Sequence, residues 1–380
     1  MKQMKKMEKR KREEEEDDGE EASGGRSAAW RDAYWQYCKA MEMSEVEEEN
    51  TDTTWREYSD MDERRKAAAE ALEQQILALP PDQREGIVKE SAERWDGFYQ
   101  ANASKFFKDR NYLHHQFPLL ADSDEPRTFL ECGCGAGNTV FPLMVAHPRS
   151  FFYATDFSET AVNLVKQRLK ENDEKEATGD QEEHKEKDGN EKEAEEEEEN
   201  ESGKEKARRY HWQQRAKVFV ADLAKDELIG EDKVEAASSV DVALMIFVLS
   251  AVAPEHMVGV LKKIYHVLKP GGCLLFRDYG EYDLTQIRFL SKKDSCKLGR
   301  SLYVRSDGTT SYFFSQERVT ELLREAGFQV EQNKLDVREL KNRKRKITMF
   351  RVWISAIGRK VPITTSEEQP TEPQQPQNTA

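Results

Sequence analysis

The sequence predicts an α/β fold, a mostly parallel sheet with helices on both faces, on three observations. From Thr128 onward, short apolar runs alternate with stretches of helical spacing, the order that βαβ units impose. The run Val240–Val248 is apolar except for Asp241, as a central strand covered on both faces should be. The first run ends in an acidic residue and a glycine-rich turn: Thr128-Phe129-Leu130-Glu131-Cys132-Gly133-Cys134-Gly135-Ala136-Gly137-Asn138.

Taken in order, these patterns place strands at 128–132, 151–156, 216–222, 240–247, 272–278, 328–337 and 347–357. That is a seven-stranded sheet, with 347–357 as an edge candidate. Helices fall at 138–146, 158–170, 254–268 and 315–326. Upstream, Met61–Leu79 has helical composition and is ended by Pro80-Pro81, and a second helix runs from about Arg84 to Ala101.

Five regions follow. Residues 1–50 are a largely disordered charged tail, 51–120 a helical extension, 121–360 the α/β domain, and 361–380 a Pro/Gln/Thr-rich tail. Within the domain, residues 171–209 form a low-complexity tract with 18 acids and 8 bases, read as a surface loop, with an extended or helical charged arm as the alternative. It supplies most of the net charge of −15, so the global balance does not argue against a nucleic-acid partner. Five cysteines without regular pairing point to a reducing compartment. Cys132 and Cys134 lack a second ligand pair, so no metal site is expected. No apolar run approaches membrane-spanning length, and the charged N-terminus has no signal-peptide core, so no membrane partner is expected. The location expected is cytoplasmic, with a nuclear alternative if Lys9-Arg10-Lys11-Arg12 acts as an address; such a run also reads as a solvated tail.

Glycines at 133, 135 and 137 allow a sharp turn and close approach of a ligand. A dinucleotide fingerprint needs its third glycine where Asn138 stands. Glu131, two residues before the first glycine, suits the ammonium, carboxylate and ribose of S-adenosylmethionine (SAM) better. Asp156 ends the second strand, where such folds hold ribose hydroxyls. Asp222 and Leu223 follow the third strand, with Asp222 equally a helix cap or an adenine contact, and Ile246 or Phe247 can pack on the adenine. The fifth strand ends Phe276-Arg277-Asp278-Tyr279-Gly280, which reads either as chemistry beside the methyl group or as a structural Arg277–Asp278 pair. Phe106-Phe107-Lys108-Asp109-Arg110 with Lys105 suits RNA stacking and phosphate contact, or an amphipathic helix packed on the domain; spacing favours the second.

The chain resembles the eukaryotic tRNA 3-methylcytidine methyltransferases, a methyltransferase-like group with a Rossmann-like class I SAM-dependent fold. The matching pieces are Trp95-Asp96-x-Phe98-Tyr99, Phe106–Arg110, Glu131–Asn138, Thr155-Asp156-Phe157-Ser158, Asp222-Leu223 and Ile246–Val252. Further matches are Leu268-Lys269-Pro270-Gly271, Phe276–Gly280, Tyr303-Val304-Arg305-x-Asp307-Gly308-Thr309 and Tyr312-Phe313-Phe314. Two departures are the long insert at 171–209 and Ala221, where a larger residue or cysteine is expected. The resemblance implies methyl transfer from SAM to N3 of an anticodon-loop cytidine. It implies SAM contacts from Trp95, Tyr99, Gly133, Asp156, Asp222, Leu223 and Ile246, with Glu131, Gly135 and Gly137 in the same loop.

In that chemistry Asp278 is the candidate for the exocyclic amine, Arg277 and Arg305 for the carbonyl or phosphates, and Tyr279 for stacking. RNA contact is expected from Lys105, Lys108, Arg110, Arg305 and Lys344, the last within the basic run Lys341–Lys346. tRNA is the expected partner, with an aminoacyl-tRNA synthetase or another accessory protein as a further candidate. The competing readings are a SAM enzyme acting on another RNA, a protein or a small molecule, and a non-catalytic SAM-fold binding module.

Overall fold

The computed structural model describes Ala33 and residues 55–58, 63–102, 108–178, 211–290, 296–342 and 347–361. Strands are numbered along the chain. The main sheet comprises β1 (Trp55–Tyr58), β2 (Thr128–Cys132), β3 (Phe151–Asp156), β4 (Ala216–Val220), β5 (Val240–Ile246), β6 (Leu268–Tyr279), β10 (Gln329–Asn342) and β11 (Ile347–Arg359). Their order is β1-β10-β11-β6-β5-β2-β3-β4. The neighbours from β6 to β4 run parallel, whereas β11, β10 and β1 pair antiparallel. The seven predicted strands are all present, and β1 adds an eighth at the β10 edge, so the N-terminal extension is part of the sheet and not purely helical.

Among the described residues, eight helices surround this frame: α1 (Glu63–Gln74), α2 (Pro81–Asn102), α3 (Leu113–Gln116), α4 (Val140–Ala146), α5 (Glu159–Thr178), α6 (Met257–Val267), α7 (Leu284–Leu290) and α8 (Gln316–Glu325). Pro81 does not end a helix as expected. Instead α1 stops at Gln74, and Pro81 opens α2, where its missing N–H costs nothing and its fixed φ suits the first turn. A separate sheet, β7 (Lys297–Gly299), β8 (Leu302–Val304) and β9 (Thr310–Tyr312), and helix α7 have no counterpart in the sequence reading. Three-residue strands are too short to give a period.

Strand alternation divides the core. Phe129 packs with Phe141, Phe152 and Val165 on one face, while its neighbour Leu130 packs with Leu261, Phe276 and Leu322 on the other. Each such fully buried side chain contributes about 1.5–3 kcal/mol. The one polar residue of the central run is answered: Asp241 accepts from Thr128 N at 2.8 Å and pairs with Lys269 at 2.8 Å. A third cluster joins Ala69, Leu72 and Ile76 around α1 to Ile287, Leu290, Tyr303 and Phe313, which docks the N-terminal extension beside the small sheet.

The tract read as a loop from 171 begins as helix. Helix α5 continues to Thr178. Asp173 accepts from Trp212 N at 2.8 Å, and Glu176 accepts from Trp212 Nε1 at 2.8 Å. These contacts give the first eight residues of the tract a structural role that composition concealed. Residues 179–210 lie outside the described part.

Candidate functional site

The strand order reverses between β2 and β5, and ligands of open α/β sheets bind outside the carboxyl ends of the strands at such a point. A cavity of about 890 Å3 opens there, within the size range of cofactor sites. Gly133, Asp156, Ala221, Asp222, Leu223, Phe247 and Val248 form its floor. Arg84, Val88, Trp95 and Tyr99 of α2 roof it.

The glycine turn is built for close approach. Gly133 has φ 66°, and a Cβ there would lie 2.5 Å from Val248 Cγ2. Gly135 has φ 51°, and a Cβ there would lie 2.6 Å from the Tyr99 hydroxyl. Gly137 packs in the same way against Phe141. Of the three, only Gly133 lies on the cavity wall; Gly135 and Gly137 shape the turn from behind.

Asp156 Oδ2 accepts from Gly135 N at 2.9 Å, and Oδ1 accepts from Ser158 N at 3.0 Å. The carboxylate therefore holds the glycine turn as well as facing the cavity. Burial outweighs these bonds and pushes its pKa up to about 6. Asp222 bonds Ala224 N at 2.9 Å and pairs with Lys225 at 2.9 Å while lining the cavity; the segment after it is a turn and not a helix, so it does not serve as a helix cap.

Glu131 is buried, and neither carboxylate oxygen has a hydrogen-bond partner. Burial pushes its pKa up to about 7, opposed by Arg110. Arg110 Nη1 stands 3.8 Å from Glu131 and donates to Thr139 Oγ1 at 2.7 Å. Its backbone N–H donates to Asn138 O at 2.8 Å. Next to it, Asp109 accepts from Asn138 Nδ2 at 3.0 Å and pairs with Arg168 at 2.7 Å. Asn138, the residue that breaks the dinucleotide spacing, is thus the anchor for this segment. Arg110, expected on the RNA-facing surface, is turned inward against Glu131 with its side chain 15% exposed. Lys108 is exposed, whereas Lys105 and Lys344 lie outside the described residues.

Around the site, cationic and aromatic side chains form a belt. Arg110 stands 5.8 Å from the Phe247 ring, Phe247 5.1 Å from Tyr279, Tyr279 5.7 Å from Arg305, and Arg305 5.7 Å from Trp95. Trp95 then lies 6.3 Å from Tyr99. Ile246, expected on the adenine, faces away into the core beside Leu244; Phe247, with φ 61°, takes the wall position. A non-glycine residue held at positive φ is a cost that packing around the site must offset.

At the end of β6, alternation separates the expected Arg277–Asp278 pair. Arg277 Nη2 pairs with Asp336 at 2.5 Å, and Nη1 donates to Ser355 Oγ at 2.6 Å. It is buried and has no path to a base carbonyl or phosphate, which corrects that assignment. Asp278 points the other way. Its oxygens accept from Ser250 N and Tyr279 N at 2.9 Å each. Burial pushes its pKa up to about 6, and Arg305 is close enough to oppose this. Neither Asp278 nor Tyr279 forms part of the cavity wall; they stand one layer behind it.

The site fits SAM. Glu131 presents unsatisfied buried oxygens where an ammonium needs an acceptor, and Arg110 beside it offers a cation to a carboxylate. Among the described residues no cluster of His, Cys, Asp and Glu is arranged to hold a metal ion, and no helix is long and apolar enough to cross a membrane.

The family model "Methyltransferase domain" matches residues 99–333. The "tRNA N(3)-cytidine methyltransferase METTL6" of Homo sapiens is 37% identical over 284 residues, 74% of this chain and 84% of that protein. The "tRNA N(3)-methylcytidine methyltransferase Mettl2" of Drosophila melanogaster is 35% identical over 311 residues, 79% of this chain and 81% of that protein. "O-methyltransferase 3" of Dictyostelium discoideum is 30% identical over 410 residues, 87% of this chain and 84% of that protein.

Proposed function

Because the chain belongs to the methyltransferase family of METTL2 and METTL6, we propose that it methylates N3 of a cytidine in tRNA, with SAM as methyl donor. The observation that supports this most is the 37% identity spanning 84% of METTL6. SAM supplies an electrophilic methyl on a sulfonium. Gly133 and Asp156 on the cavity wall would hold the adenosyl end by close approach and ribose contact, and Glu131 with Arg110 would orient the amino-acid end. Trp95 and Tyr99 close the roof and exclude water. Cytosine N3 carries a free lone pair at neutral pH, so placement does most of the catalysis and no base is required. N3 lies on the pairing edge, so the base must leave any pair to enter.

Oxygen methylation, the activity in the Dictyostelium relative's name, would need a base for the hydroxyl. His256 is the imidazole on the cavity wall that such a reaction would use. The acidic tract 171–209 supplies most of the net charge of −15, so the rest of the chain is close to balanced and we also infer tRNA as its macromolecular partner. The deciding experiment incubates the purified protein with unmodified total tRNA and labelled SAM, then maps the methylated positions. N3-methylcytidine in tRNA supports the reading. Label in hydroxyl groups or in protein, with none in tRNA and with loss in His256→Ala, would overturn it.

A further inference from the structure

Two hydrogen-bond donors in the belt have no acceptor. Trp95 Nε1 and Arg305 Nε are both buried without a partner. Arg305 reaches Ser311 Oγ only at 3.4 Å. Its backbone is fixed by the turn that closes through Arg305 N to Thr309 O at 2.7 Å. The nearby Asp278 carboxylate is engaged by two backbone N–H groups. Buried donors left unpaired are costly unless a ligand brings the missing acceptor.

We propose that Arg305, together with Trp95, holds the O2 carbonyl of the acceptor cytosine and so determines base specificity; this rests on the cytidine-N3 reading above. The guanidinium is 5.7 Å from the Trp95 ring, and Trp95 itself lines the cavity, so a planar base entering there can stack on the indole within reach of the donors. Both cytosine and adenine offer a ring-nitrogen lone pair on the pairing edge. Cytosine has an oxygen beside it at O2. Adenine has only a C–H and an amine there, and would leave both donors unanswered. Uracil has the oxygen, but its N3 carries a proton and no free lone pair. A lone pair next to a carbonyl therefore selects cytosine. A site built to hydrogen-bond one group rejects the analogue lacking it by up to about 10,000-fold. Methylation makes the ring cationic, which weakens O2 as an acceptor and places like charge beside Arg305, favouring release of the product.

The test uses a synthetic anticodon-arm hairpin with one loop cytidine, and the same hairpin carrying 2-thiocytidine, whose sulfur is a poor acceptor. The parent protein should lose about 10-fold or more in kcat/KM on the thio hairpin, comparable to removing one oriented hydrogen bond. Arg305→Gln should lose about 100-fold on the normal hairpin and show no further loss with sulfur. It should also narrow the gap between the cytidine hairpin and one carrying adenosine instead. Arg305→Lys and melting curves check that the fold is intact. An equal sulfur penalty in parent and Arg305→Gln overturns the assignment. A calorimetric SAM affinity that falls with activity also overturns it and places the cofactor's carboxylate at the donors. A parent protein inactive on both hairpin and tRNA would instead fail the functional reading.

Discussion

Arg110 reaches from the segment after α2 to the tip of β2, where its guanidinium faces Glu131 across 3.8 Å. This pair places opposite charges side by side next to the glycine turn, a complement to a zwitterionic amino-acid group. On the proposed reading Arg110 is a cofactor residue. Arg110→Ala should therefore abolish measurable SAM binding at micromolar cofactor, while Lys108→Glu, at an exposed site, should leave it unchanged and reduce tRNA binding with a shallower salt dependence. Calorimetry on both variants checks this. Equal SAM affinities in Arg110→Ala and parent would return Arg110 to the RNA surface.

SAM affinity should rise with pH between about 6 and 8. Glu131 in the free protein titrates at about 7, raised from 4.5 chiefly by burial. A bound ammonium favours the charged form, so binding below that pKa must first release a proton. The same shift means that ionising Glu131 costs the empty protein about 3 kcal/mol as pH climbs from 4.5 through 7. Glu131→Gln should bind SAM weakly at all pH values and raise the melting temperature of the free protein at pH 8. A parent binding isotherm independent of pH would remove Glu131 from the ammonium site.

Arg277→Met should unfold at a lower temperature. It leaves Asp336 buried, with Arg338 as its remaining ion-pair partner among the described residues, at 2.6 Å. Breaking a buried pair from one side costs about 3–5 kcal/mol. Restoring neutrality in the double variant Arg277→Met/Asp336→Leu should recover most of the loss. A melting temperature unchanged in the single variant would show the pair to be dispensable.

Removing residues 179–210 and joining the ends with a short Gly/Ser linker should leave the melting temperature within a few degrees of the parent. Removing 171–210 should lower it further, because Asp173 and Glu176 then no longer hold Trp212. The two lost bonds, from the backbone N–H and the indole N–H of Trp212, are worth about 1–3 kcal/mol. Indistinguishable melting curves for the two deletions would place the boundary at 171 after all.

The sequence by itself determined seven strands of the sheet, its parallel core, the carboxyl-end tips at Glu131 and Asp156, and two helices of the N-terminal extension. It did so because strand and helix periods are properties of the local backbone, and apolar residues must follow them to reach a core. The three-residue strands β7–β9 and the edge strand β1 escaped, since a run that short has no period to read. What only the tertiary structure decided was the partner of each long polar side chain. Arg277 and Asp278 are adjacent in sequence, yet one pairs with Asp336 on β10 and the other with the backbone at Ser250. Arg110 looked like a member of a basic surface run and is turned inward against Glu131. A guanidinium reaches several ångströms from its own backbone, so its partner depends on which distant segment packs beside it, and no local pattern encodes that.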